Sequence, residues 1–245
     1  MKHRIWTAAI AAALLLAVSV GPALADGYPD DSPWMTHSAG GYSHWITVCY
    51  WNAYPLPGGY GGAYWQAMQR AVNTWDALST SQGGNLHYSL TATHCESGVP
   101  EPFVAVGYAN VSAGVPYAAC RNLGGLGCTI RYVGSDNRTR NTRVILQDAS
   151  FWYTGTGTPG SQQYDAETVF LHEFGHASTL CHSGYDNNPP FSGPIEVMYP
   201  TLALGQVKRS TVWDDDVSFA IWYSGGSGFT VSDCYTQASG AEIHE

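Results

Sequence analysis

Charge is scarce in this sequence, and positive charge is scarcest. Asp, Glu, Lys and Arg together make up 12% of 245 residues, with 10 Lys+Arg against 19 Asp+Glu. Affinity for nucleic acid rests on Lys and Arg facing phosphates, so a chain at a formal −9 is not built for that partner. Six cysteines occur, yet none stand in a C-x-x-C pair, which removes the usual signature of a structural zinc finger. The glycine-rich stretch from Pro55 to Gly62 contains neither G-x-G-x-x-G nor Gly-Lys-Ser/Thr, so it reads as a connector and not a phosphate cradle. The apolar run from Ile5 to Val20 is shorter than the ~20 residues that a membrane span needs.

That run follows Lys2 and Arg4 and leads to Ala23-Leu24-Ala25, the pattern of a secretory signal peptide covering residues 1–25. A secreted, extracellular protein with no membrane anchor is expected after cleavage. Removing Lys2 and Arg4 leaves 8 − 19 = −11 for the mature chain. Its roughly 220 residues are enough for one domain with a well-buried core, and a monomer is expected. An even number of cysteines in an oxidising compartment points to three disulfides. Six cysteines allow fifteen pairings. The pairing expected here is Cys49–Cys95, Cys120–Cys128 and Cys181–Cys234.

Residues 26–43, rich in Gly, Pro, Asp and Ser, read as an irregular arm before a domain at 44–245. Runs of β-branched and aromatic residues predict strands at His44–Trp51, Asn85–Leu90, Phe103–Tyr108, Thr129–Val133 and Arg143–Gln147. Between the first two, Trp65, Met68, Ala71/Val72, Trp75 and Leu78 recur at helical spacing, predicting an amphipathic helix over Ala63–Leu78. Phe151 to Ser161 is a turn-rich bridge. Trp213, Val217, Ala220 and Ile221 predict a terminal helix with Asp214–Asp216 in its first turn, where carboxylates complement the dipole. Nothing there indicates calcium. Asn110-Val-Ser and Asn137-Arg-Thr are glycosylation sequons.

The chemistry is concentrated in Val169 to His182. His172, Glu173 and His176 form H-E-x-x-H, preceded by Ser161 or Asp165 as candidate helix cap. Residues four apart share a helix face, so both imidazoles can meet one ion while Glu173 sits about 100° round the axis. There it can take a proton from a water without being a ligand. His182 lies six residues past His176, about 240° round a continued helix, so it joins the same ion only if the chain turns sharply between them.

Three histidines at the spacing H-E-x-x-H-x-x-G-x-x-H, then Val197-Met198-Tyr199-Pro200 as a methionine turn, resemble the metzincin zinc peptidases, and the matrixins in particular. The resemblance covers about residues 44 to 225. It departs from the family at Thr179, where glycine is usual. It implies an α+β fold: a twisted, mostly parallel sheet of about five strands, long helices on one side, an upper subdomain over 44–182 and a small lower one over 183–245. It implies one catalytic Zn2+ on His172, His176 and His182, Glu173 as general base, and Met198 as an apolar floor. Tyr199, Pro200 and Leu202 would form the pocket wall, and the strand Thr142–Gln147 would pair with extended substrate. Protein or peptide substrates follow from the resemblance; the spacing itself indicates only a hydrolytic zinc site.

A β-branched residue at 179 leaves the third ligand open. Either the turn uses negative φ, or the site is looser, or the ligand is Asp186 or Glu196 instead of His182. A secreted non-catalytic binding protein on a degenerate metzincin scaffold, and a zinc hydrolase of non-peptide amides, are the alternative functions. His87 and His94, in or beside the second strand, lack the pattern of a second zinc site and read as ordinary strand or surface residues.

Overall fold

The computed structural model describes residues 44–95, 98–109, 125–135, 138–148, 151–180, 182, 196–212, 236–238 and 241–244. The expected signal peptide, N-terminal arm, sequon asparagines Asn110 and Asn137, Asp186 and terminal helix lie outside these residues.

Every strand expected from β-branched and aromatic composition forms. They are β1 (His44–Tyr50), β2 (Leu86–His94), β3 (Phe103–Ala109), β4 (Gly127–Val133) and β5 (Thr139–Gln147). Helix α1 (Ala63–Ser81) joins β1 to β2, as a parallel pair requires a crossover. It runs three residues beyond the expected Leu78 and stops at Gln82-Gly83-Gly84, where Gly83 takes φ 67° without the penalty a Cβ would bring. Short strands β6 (Trp152–Tyr153) and β7 (Tyr164–Asp165) pair with each other, and β7 feeds directly into helix α2 (Ala166–Ala177).

The main sheet has the order β2-β1-β3-β5-β4-β9-β8, where β8 is Thr236–Ala238 and β9 is Ala241–His244. Strands β2, β1, β3 and β5 are parallel; β4 runs antiparallel to β5, and β9 antiparallel to β4. This is an α+β fold with a mostly parallel sheet. Two differences from the sequence reading stand out. Thr142–Gln147 is not an open edge, because β5 has β3 on one side and β4 on the other. Residues 236–238 and 241–244, expected in the lower subdomain, instead form two strands that extend the main sheet beyond β4.

Alternation along the strands sorts their side chains onto two faces. Ile46, Val48, Val104, Val106, Val144 and Leu146 meet both helices in the larger core. Cys49, Phe103, Ala105 and Ile145 point to the other face, joined by Trp51, Cys95, Cys128 and Ile130. On that second face Cys49 and Cys95 form the expected disulfide, closing a separation of 46 residues. A loop of that length contributes about 4 kcal/mol by restricting the unfolded chain. Cys128 is also disulfide-bonded; Cys120, Cys181 and Cys234, needed for the other two expected pairings, lie outside the described residues.

Helix α2 is enclosed nearly all round: every residue in it except His172 is buried. Phe170, Phe174 and Ala177 are fully buried in the larger core. The indole of Trp75 on α1 donates to the Leu171 carbonyl at 2.8 Å, fixing one helix against the other.

Candidate metal centre

Of the two candidate caps, Asp165 is the one used. Its carboxylate accepts from the Thr168 amide at 3.1 Å and the Thr168 hydroxyl at 2.6 Å. It also receives Arg209 in a forked pair, at 2.5 Å and 2.8 Å. Arg70 on α1 donates to Glu167, two residues past Asp165, at 2.5 Å. Both guanidiniums bond carbonyls of residues 154–156, so the bridge after β6 is tied to the start of α2. Carboxylates at a helix N-terminus complement its dipole, and the arginines offset the burial of Asp165, which is fully enclosed.

The other end of α2 makes the sharp turn that a third ligand needs. The Thr179 amide donates to His176 O at 2.9 Å and the Leu180 amide to Gly175 O at 3.0 Å, the paired bonds of a Schellman turn. Thr179 occupies the left-handed position of that turn, at φ 73°. Glycine suits this position; a threonine there carries about 1–2 kcal/mol of strain. Of the open readings at Thr179, negative φ is thus excluded. The Ser178 hydroxyl meets Tyr88 of β2 at 2.6 Å, which holds the turn against the sheet.

The result brings His172, His176 and His182 together. Their Nε2 atoms form a triangle with sides of 3.0, 3.1 and 3.1 Å. The other ring nitrogens say what those atoms carry. Nδ1 of His172 lies 2.7 Å from Val197 O, and Nδ1 of His176 lies 2.7 Å from Leu180 O. A carbonyl can only accept, so in the neutral imidazoles these Nδ1 atoms hold the proton and the two Nε2 atoms present lone pairs. Lone pairs facing each other at this distance repel unless a cation lies among them. Ligands on a tetrahedral zinc, each ~2.0–2.1 Å from it, are about 3.3 Å apart, so the triangle fits with a slight expansion. Backbone carbonyls behind ligating histidines are the usual way to orient them. Among the described residues this is the single group of three His, Cys, Asp or Glu side chains close enough to hold a metal ion.

Glu173 is buried and packs against β4. The Thr129 hydroxyl donates to its Oε2 at 2.6 Å. Gly127 leaves the room: a Cβ there would overlap the Glu173 carboxylate. Burial pushes the Glu173 carboxyl up to about 8, a rise only partly offset by the bond from Thr129. Neither Thr129 nor Gly127 carries a sequence signal for this role. They precede Glu173 by more than forty positions (44 for Thr129) and reach it through the sheet.

Met198 is fully buried against α2. A Cβ added at Gly175 would overlap its Sδ and lie 3.1 Å from the Trp75 ring, which is why this helix carries glycine beside a ligand. Val197, the preceding residue, supplies the carbonyl behind His172, so the expected methionine turn is attached to the centre at two points. Of the expected pocket wall, Leu202 packs against the larger core and Tyr199 lies under the Lys208 ammonium, 5.1 Å from the ring centre, while Pro200 is exposed. Glu196 is half-buried and stands outside the histidine group. His87 pairs with Asp76 at 2.9 Å, and His94 bonds the Tyr50 hydroxyl. Those two have protein partners and belong to no metal-binding group among the described residues.

These features define a candidate three-histidine metal site, with His172 and His176 on a buried helix and His182 past its C-terminal turn. Compared with models of known families and with curated proteins, the chain matches none.

Proposed function

We propose that this chain is a secreted zinc-dependent endopeptidase of the matrixin type. The observation that carries the reading is the convergence of three Nε2 atoms, two of them from a helix whose buried, hydroxyl-held Glu173 directly follows the first of these histidines. Bound at the three imidazoles, zinc would supply Lewis acidity toward a substrate carbonyl. The chain's own groups do the rest. Glu173 accepts a proton from the attacking water and delivers it to the leaving amine. Burial raises the Glu173 carboxyl to about 8 in the metal-free chain, and a cation at the imidazoles would draw it back toward the ionised form that accepts a proton. Thr129 fixes which oxygen of Glu173 stays behind as hydrogen-bond acceptor and leaves Oε1 for the proton. The Val197 and Leu180 carbonyls hold two of the rings in the tautomer that offers Nε2.

The test is metal content together with casein digestion, with and without chelator, for wild type, Glu173→Ala and His182→Ala. One zinc per chain, chelator-sensitive cleavage, full zinc without cleavage in Glu173→Ala, and weakened zinc in His182→Ala are the expected results. A zinc-loaded wild type that leaves casein intact would sink the peptidase reading in favour of a non-catalytic binding protein. Turnover confined to small amides would point to the non-peptide hydrolase.

A further inference from the structure

An extended peptide gains affinity by adding a strand to an open sheet edge. The strand of this sheet that holds the Glu173 carboxylate is β4, through Gly127 and Thr129. One edge of β4 is taken by β5. The other is taken by the chain's own β9, antiparallel, with Thr129↔His244, Ile130↔Ile243, Arg131↔Glu242 and Tyr132↔Ala241 as partners. β8 backs β9 to complete a hairpin. The register brings residue 244 opposite Thr129, the residue that holds Glu173, so a strand on this edge runs toward that carboxylate.

We infer that the strands of residues 236–238 and 241–244 occupy in cis the edge of β4 that leads to Glu173, competing with any extended peptide that would lie there. The part of this inference that makes the hairpin an inhibitor rests on the peptidase reading above; the docking itself does not. The chemistry of the edge suits a peptide backbone of loose sequence requirement, because main-chain N–H and C=O groups supply the bonds. A tethered strand has an effective concentration in the millimolar range, so a dilute substrate meets an edge already filled. Releasing the hairpin therefore lowers KM while leaving the three histidines and Glu173 untouched.

The experiment compares the full chain with a form lacking residues 236–245 and with a Glu242→Pro/Ile243→Pro double variant. Alternate residues of an antiparallel strand bond to a given neighbour, so one of two adjacent prolines removes a ladder bond whichever register position bonds. The double variant serves if the shortened chain fails to fold. The first readout is anisotropy of a fluorescein-labelled peptide of residues 236–245, added to metal-free protein in chelator. Both altered forms should bind it at least about tenfold more tightly than the full chain. The second readout is casein cleavage by the zinc-loaded forms, where KM should drop by about tenfold with kcat little changed. Equal peptide binding by all forms, or none by any, overturns the docking. Selective peptide binding with equal KM values overturns the competition with substrate. Selective peptide binding with no cleavage by any form leaves the docking standing and removes the peptidase reading instead.

Discussion

The burial of Glu173 makes the metal-free protein a pH-sensitive one, in a direction opposite to ordinary acid denaturation. Its carboxyl moves from 4.5 to about 8 on folding, with desolvation as the main cause and the Thr129 bond opposing it. A carboxyl raised in the folded state favours folding while it stays protonated. That contribution is complete below 4.5 and is lost as pH climbs to about 8, where both states are ionised. The slope over that window approaches about 1.4 kcal/mol for each pH unit, and the whole loss is about 5 kcal/mol. That is a large share of the 5–15 kcal/mol that holds a typical domain together. Glu173→Gln keeps the shape and the acceptor for Thr129 but does not titrate, so subtracting its curve isolates this one group from the histidines. The assay is urea unfolding in chelator from pH 4.5 to 9, wild type beside Glu173→Gln. The wild type should lose several kcal/mol relative to the variant as pH rises. Parallel curves would show that the carboxyl is not desolvated and would refute this reasoning.

The Thr129 hydroxyl can be tested by Thr129→Val, which should retain zinc, slow casein cleavage about tenfold through loss of a bond to a charged group, and move the acid limb of the pH–rate profile upward. Gly175→Ala would ordinarily gain about 1 kcal/mol in a helix. Here it should lose about 1–2 kcal/mol in urea unfolding, because its Cβ overlaps the buried Met198 sulfur; pairing it with Met198→Ala should cost less than the two changes summed, and strict additivity would refute the contact. Arg209→Met should cost about 3 kcal/mol in thermal or urea unfolding by leaving Asp165 buried without its forked partner, whereas a change below about 0.5 kcal/mol would mark the pair as ornamental to stability.

How far the sequence alone reached depends on how local each signal is. The strand positions and α1 were legible because period and composition act within a few residues, and α1 needed correction only at its glycine stop. The alignment of His172 and His176 followed from helix geometry. The placement of His182 did not, since whether the chain turns there hinges on one backbone angle at Thr179 that local propensity argues against. The edge strand was misassigned because sequence order and sheet order differ: β4 precedes β5 in the chain yet lies outside it. The supports of Glu173 were illegible for a related reason, since Gly127 and Thr129 reach it only once the sheet is assembled. Arg70 and Arg209 reach the start of α2 from separations of 97 and 44 residues, with no motif to announce them.

The left-handed threonine has one last consequence. Because the turn that delivers His182 is held against its own backbone preference, an ion gripping that imidazole also keeps the bend from springing back. Withdrawing the ion should therefore loosen the chain first at Ser178 to Leu180, where amide exchange would quicken ahead of the rest of the helix. In such a protein the metal is a latch on the peptide that carries it, and holding the cargo and holding the shape become one act.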